Sequence, residues 1–397
     1  MVSLLCMIRF ASSARQMMFP LMALFMLQSH NCFGQNLHRN QSRLFIEETI
    51  ATQSVNTDPD DPAIWIHPQQ PALSLLFGTD KSESIGRLYV FDLNGSVLQH
   101  IDDIDRPNNV DVEYGFKINE TYSMDLVVLT ERKQSCLRIF KINPIARRIE
   151  ELIGGETHVF TSSVGDEAAP MGIGLYKRMQ NEKIYAIVSR KSGVSGQYLG
   201  QYEFVWNGQS IDLKLIRYFG DFQGEEIESL VVDDQLGFVY YSDEQYGVRK
   251  YNVDPANNHT SQIGFINTTN VWVGDSEGLA IYSTSDTTGY LIIVDQIANG
   301  SIFHLYERQG NNAFVHSIRT YADSTDGIDV TSVSLNEQFP KGLLIVMNEI
   351  GKNFLMYDWR LIDNGLLKND AVGHKPFNFI VSLLSSFCFT CYFSIFF

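Results

Sequence analysis

The sequence predicts an all-β protein, a six-bladed β-propeller closed by an N-terminal strand in the last blade. Three observations predict it. Six apolar, β-branched runs each end in a short polar cluster, at 76–81, 128–132, 187–191, 240–244, 292–296 and 345–349. Their spacing of roughly 50 to 60 residues suits one propeller blade per unit. Each run is followed by an aromatic-rich strand, at 88–91, 137–140, 202–205, 248–251, 302–306 and 354–357. Finally, a fourth strand follows in five units, while the sixth stops near Trp359 and 43–51 is an unassigned strand at the other end. That segment supplies the missing edge, and radial closure leaves only short, protected strand edges.

Each unit is also preceded by a first strand that carries acid: Asp61, Asp111, Glu228, Glu277, and Asp326 with Asp329. The third unit departs from this, with Asp166 and Glu167 just ahead of Met171. In a propeller the first strands line the central channel and the turns at one end converge on the axis. The scattered acids and the Lys81, Arg132 and Lys191 clusters are therefore expected at one channel mouth.

The rest of the chain bounds the function. The 397 residues carry 46 acidic and 30 basic side chains, a net charge of −16. That argues against nucleic acid, which is met by a basic face. Cys6 and Cys32 lie near the N-terminus and Cys388 and Cys391 in the last ten residues, so Cys136 stands alone in the body. Neither a disulfide framework nor a cysteine metal site is available there. Arg9 and Arg15, the apolar run 17–27 and the small or polar residues before Gln35 read as a secretory signal over 1–34. The expected domain is 40–365, and the protein is expected to be exported, to the periplasm or the extracellular space, as a monomer. Residues 366–397 form an apolar tail, uncharged from Pro376 onward. A membrane anchor, a removable anchoring signal and a gene-prediction artefact are the open readings. Asn94, Asn119, Asn258, Asn267 and Asn299 fit glycosylation sequons.

Carboxylates gathered in one place repel unless cations neutralise them. Oxygen ligands without a His or Cys cluster favour a hard cation, and several loop carboxylates suit calcium. The interleaved Lys81, Arg132 and Lys191 make the site mixed in sign, as phosphate recognition requires. Taken singly, Asp61-Pro62 reads as a turn, Glu131-Arg132 as a surface ion pair and Asp326-Gly327 as a hairpin. The register of Asp61 with Glu228 and Glu277, and of Arg132 with Lys81 and Lys191, favours a shared site for the first two, while a ligand role for Asp326 rests mainly on a family resemblance.

Five strings in order resemble motifs of the β-propeller phytases: 57–65 with Asp60-Asp61-Pro62, Asn108-Asn109-Val110-Asp111, Glu277-Gly278-Leu279, 306–310 around Arg308, and Thr325-Asp326-Gly327-Ile328-Asp329. The resemblance spans about 57–359. It implies a calcium-dependent phosphatase acting on inositol hexakisphosphate through in-line attack by a calcium-activated water. It implies Lys81, Arg132, Lys191, Glu228, Asp243 and Glu277 as catalytic residues. Asn109 and Gln296 would join the three cations in binding substrate. Asp61, Asp111, Glu228, Asp243, Glu244, Asp275, Glu277, Asp326, Asp329 and Asn348 would hold several Ca2+ ions. Two positions depart from the family pattern: Met171 stands for a tyrosine and Ser192 for a glutamate. Asp166 and Glu167 are the nearest carboxylates to stand in. The departures, with the tail, leave a non-catalytic calcium-bound propeller as the alternative. A lactonase-type propeller is disfavoured by the three cations.

Overall fold

The computed structural model describes residues 44–269 and 271–373. The expected signal segment and the tail beyond Gly373 lie outside the described residues. Six sheets follow one another round the ring, each with four antiparallel strands and the fifth with one further, parallel strand at its edge. Blade 1 is Pro59–Trp65, Leu75–Asp80, Gly86–Phe91 and Val97–Ile104. Blades 2 to 5 repeat that order from inner strands Pro107–Lys117, Pro170–Lys177, Leu230–Asp233 and Asp275–Ser283. Blade 6 has Ile328–Thr331, Leu343–Asn348 and Asn353–Asp358, with Ile50–Ala51 as its outer strand. Each inner strand contacts the next, and the sixth contacts the first, so the ring closes.

The N-terminal segment closes the ring in two pieces rather than as one strand. Leu44–Phe45 runs parallel to Phe314–Arg319 on the edge of blade 5, and Ile50–Ala51 then pairs antiparallel with Asn353–Asp358. The C-terminal boundary also differs from expectation. A helix, Trp359–Gly373, follows blade 6. Trp359 is fully buried, stacked on Tyr282 with ring centroids 3.5 Å apart, and Ile362 is buried in the same cluster. Helix and first strand together cover the outside of the seam between blades 5 and 6.

The apolar faces of neighbouring blades meet in six clusters, one per seam. The alternation of apolar residues along second and third strands fills both faces of each blade. The seam between blades 4 and 5 is the thinnest, with six buried members, Tyr240, Val248, Leu279, Leu291, Ile293 and Tyr306. It is reinforced by a buried clamp. Arg308 donates from Nε and Nη2 to Asp233, at 2.7 and 2.6 Å, and from Nη1 to the Ser285 carbonyl. The 306–310 string is thus an interblade fastening.

Candidate active site

The second strands all end at the same mouth, and their last residues alternate between two tasks. The strand-final Asp80 accepts from Thr57 N at 3.0 Å and Asp58 N at 3.1 Å. Glu131 accepts from Asp105 N, Asp243 from Gly224 N at 2.7 Å and Arg249 Nε at 2.7 Å, and Asp295 from Gly274 N at 2.7 Å. Asn348 accepts from Asp323 N at 3.1 Å. These residues latch the segment that enters their own or the next inner strand. The following residue turns the other way, because side chains alternate along extended backbone. Those residues are Lys81, Arg132, Lys191, Glu244 and Gln296 in blades 1 to 5. The structure brings these five to the mouth. Asp243 and Asn348, expected as site residues, instead occupy latch positions, their polar atoms engaged within the fold.

The inner strands add carboxylates. In blades 1, 2, 3 and 5 the pairing with the second strand slips just inside the mouth, between Pro59 and Pro62, Pro107 and Val110, Pro170 and Ile173, and Ser276 and Leu279. Such bulges re-aim side chains beside active sites. In blade 1 the bulge separates two adjacent acids. Asp60 is buried, and its Oδ1 accepts from Lys81 Nζ at 2.9 Å. Asp61 accepts from Val110 N at 2.9 Å and faces the channel. Asp326 accepts from Lys81 Nζ at 2.6 Å and from Gln296 Nε2. Gly327 permits the close approach of this strand to blade 1, since a Cβ there would lie 2.2 Å from Asp61 Oδ1.

Arg132 is buried and held from behind. Its Nη1 donates to Asn108 Oδ1 at 3.4 Å, and Asn108 Nδ2 donates to Asn109 Oδ1 at 2.9 Å. Asn109 thus reaches Arg132 through Asn108. Glu226 binds Lys191 Nζ and lies 3.7 Å from Arg132 Nη2. Arg106, Lys133 and Asp166 line the adjoining cleft with Arg132 and Lys191, a cavity of about 460 Å³. Met171 is fully buried, and its carbonyl accepts from Thr130 Oγ1 at 2.6 Å. Asp166 and Glu167 are exposed in the short turn Gly165–Glu167. Glu226, not either of them, is the carboxylate that meets Lys191.

Electrostatics ties these groups together. Burial pushes the Glu228 carboxyl up, as does the Asp60 charge, while Lys81 and Arg132 oppose. Glu244 is pushed up to about 8 by burial and then by Glu228, Glu226 and Asp275. Glu277 rises well above the usual carboxyl range through burial, Glu244 and Asp326. Asp326 is pushed up to about 7, burial outweighing Lys81. Lys81 is raised well above its usual value, the carboxylates overcoming its burial. Carboxyls raised first by burial and then by one another have too little positive charge nearby. Asp60 Oδ2 is moreover buried with no hydrogen-bond partner among the described residues. The oxygen-only donor set and that orphaned oxygen fit a hard cation. No three of these acids converge on one ligand point among the described residues. The charge, rather than a preformed cage, carries the fit.

A second acidic group lies deeper. Asp61, Asp111, Glu113, Asp234 and Asp329 line a cavity of about 230 Å³ on the axis. Four of them staple blade to blade through backbone amides. Val110 N donates to Asp61, Leu175 N to Asp111 at 2.7 Å, Lys177 N to Asp234 at 3.0 Å, and Ile64 N to Asp329 at 2.8 Å. Burial pushes Asp111 up to about 6 and Asp329 and Asp234 to about 7. Asp111 and Asp329 therefore belong to the channel, apart from the mouth.

Sequence reasoning gave no site role to Asp60, Glu226, Glu113 or Asp234. Glu226 had a signal, since it sits two residues before Glu228 on one extended segment and so shares its face.

A propeller whose mouth sets three phosphate-seeking cations among buried carboxylates is the architecture of a phosphoric monoester hydrolase. The profile of the phytase family matches residues 16–370, and the chain belongs to that family. It is 28% identical over 333 residues to the 3-phytase of Bacillus subtilis (strain 168), covering 79% of this chain and 83% of that protein. A solved β-propeller domain, that of Cps50 (Swd1) from Myceliophteria thermophila, is 10% identical with a TM-score of 0.45, covering 76% and 83% of the two chains.

Proposed function

We propose that this protein is a secreted, calcium-dependent phytase that removes phosphate from inositol hexakisphosphate. The observation that carries the reading is the mouth itself. Lys81, Arg132 and Lys191 occupy the same position in three consecutive blades, with Lys81 and Arg132 in the field of Glu228, Lys81 in that of Glu277 and Asp326, and Lys191 bound to Glu226. Asp60, Glu228, Glu244, Asp275, Glu277 and Asp326 would hold calcium there. Bound calcium supplies the positive charge that offsets the carboxylates and the phosphate and acidifies a water for in-line attack.

The chain's own residues do the rest. Arg132, locked by Asn108, offers its guanidinium fork to the equatorial phosphate oxygens, where charge spreads during transfer. Lys81, fixed between Asp60 and Asp326, places a point charge beside it. Glu228, half-buried and with a raised pKa, takes a proton from the attacking water. Lys191 and the cleft toward Arg106 and Lys133 receive a neighbouring phosphate of the same substrate. Glu226 must yield its contacts with Lys191 and Arg132 as the phosphates enter.

The test is phosphate release from phytate by the purified protein, with calcium and with chelator. Calcium-dependent release is expected. No release at any calcium level, with circular dichroism showing an intact fold, overturns the reading. One observation favours the second reading, a non-catalytic phospholigand-binding propeller. Met171, buried at the mouth, offers no side-chain donor to phosphate. Calorimetric binding of phytate without turnover would decide for it.

A further inference from the structure

The turns between third and fourth strands lie at the end of the propeller opposite the mouth, because second strands end at the mouth and third strands run back from it. At that far end, in the thin seam between blades 4 and 5, is a cavity of about 410 Å³. This size falls within the range of small-molecule pockets, ~300–1,000 Å³. Its walls are Phe238, Tyr240 and Val248 with Ile266, while the Phe265 ring turns to the other face of the sheet, against Tyr246 and Arg249. Its far side is the 310–312 turn of blade 5.

One charge enters this cavity. Lys250, on the third strand of blade 4, is 7% exposed, with Nζ 4.1 Å from the Phe238 ring centroid and 5.2 Å from that of Tyr240. Its hydrogen-bond partner among the described residues is the neutral Asn312 Oδ1, at 3.3 Å. An ammonium has three donors. The nearest carboxylate in its field, Asp233, is already bound at both oxygens by Arg308, and Arg249 is engaged by Asp243. A buried cation without an anion is costly unless something supplies one. Burial accordingly pushes the Lys250 pKa down. The space is also kept open. Gly264 sits opposite Lys250 in the ladder, where a Cβ would lie 3.2 Å from the lysine stem. At Gly310 an added Cβ would meet nothing within 4 Å.

We propose that this cavity is a ligand site, distinct from the mouth, for a small monocarboxylate with a flat apolar body. The carboxylate pairs with Lys250, and the body lies against Phe238, Tyr240 and Ile266. One cation without an anion matches one negative charge. A phosphate dianion, which the three-cation mouth suits, would find too few donors here.

The probe is 3-phenylpropionate, with its neutral amide as control, followed by saturation-transfer NMR on the full chain. The acid is expected to bind saturably to the wild type and the amide at least ~10-fold more weakly, as for a lost charge-assisted hydrogen bond. Lys250→Met keeps the stem and removes the charge, and should weaken the acid by a similar factor. Ile266→Ala, on the half-buried wall, should weaken acid and amide alike while leaving the fold intact. Phosphate release should be unchanged in both variants, since neither residue touches the mouth. Equal binding of acid and amide to the wild type overturns the proposal without any variant. So does absence of saturable binding, or full retention of it in a folded Lys250→Met protein.

Discussion

Glu226→Gln separates a carboxylate that competes with substrate from one that helps bind it. In the free protein Glu226 bridges Lys191 and, at 3.7 Å, Arg132. Phosphate must displace it from both. Glu226 and Lys191 are each 31% exposed, so that pair is screened. Partly exposed pairs are worth ~0.2–1 kcal/mol each, and two give on the order of 1 kcal/mol. The glutamine variant should therefore bind inorganic phosphate about 5-fold more tightly. Titration calorimetry with phosphate at saturating calcium measures this directly, and product inhibition gives a second reading. Weaker phosphate binding in the variant would refute the reasoning, since Glu226 would then be drawing phosphate in through a shared cation. An unchanged affinity would refute it too, because the bridge would then be absent in solution.

Arg132→Ala and Glu228→Gln should each lower kcat/KM on phytate by at least ~100-fold, one losing an electrostatic donor and the other a carboxylate of the reacting centre. Turnover within tenfold of wild type in either would count against the site. Arg308→Met leaves Asp233 buried without its cation, at a cost of about 3–5 kcal/mol. Thermal denaturation should shift down by on the order of 10 °C, with turnover well below the transition preserved; an unchanged Tm would show that the clamp contributes little. In chelator, stability should fall as pH rises from 5 to 8. Folding raises Asp111 from 3.8 to about 6, and Asp329 and Asp234 to about 7. A raised carboxyl pKa contributes stability that is full below the unfolded value and lost as pH passes the folded one. Calcium should flatten that slope, and a Tm that climbs across this window in chelator would contradict the assignment.

The blade count was legible because it needs only the period of apolar runs and one edge strand out of place. Lys81, Arg132 and Lys191 were legible for the same reason, as equivalent positions of one repeat. What the repeat could not resolve is direction at single-residue scale. Asp243 and Glu244 are neighbours, yet one latches Gly224 and the other faces Glu228. Asp60 and Asp61 part at a bulge that composition does not announce. Arg308 stands in a family-like string with no role assigned to it, and only the fold shows Asp233, 75 positions away, closing on it. The helix Trp359–Gly373 was missed although Trp359, Ile362 and Leu366 fall at i, i+3 and i+7, because so short a stripe runs straight into the segment read as a tail.

The two acidic groups on the axis bind stability and chemistry into one problem. A propeller is held by the seams between its blades, and here the innermost fastenings are carboxylates that accept amides from the next blade. Those amides stabilise the charged form, yet burial still raises Asp61, Asp111 and Asp329. Such acids either take up protons or attract a cation. At the mouth the same pressure falls on Glu228, Glu244 and Glu277, where a proton would remove the charge that the reaction needs. A cation relieves both places at once. The requirement for calcium is then expected to show in folding as well as in turnover, and at alkaline pH before acidic.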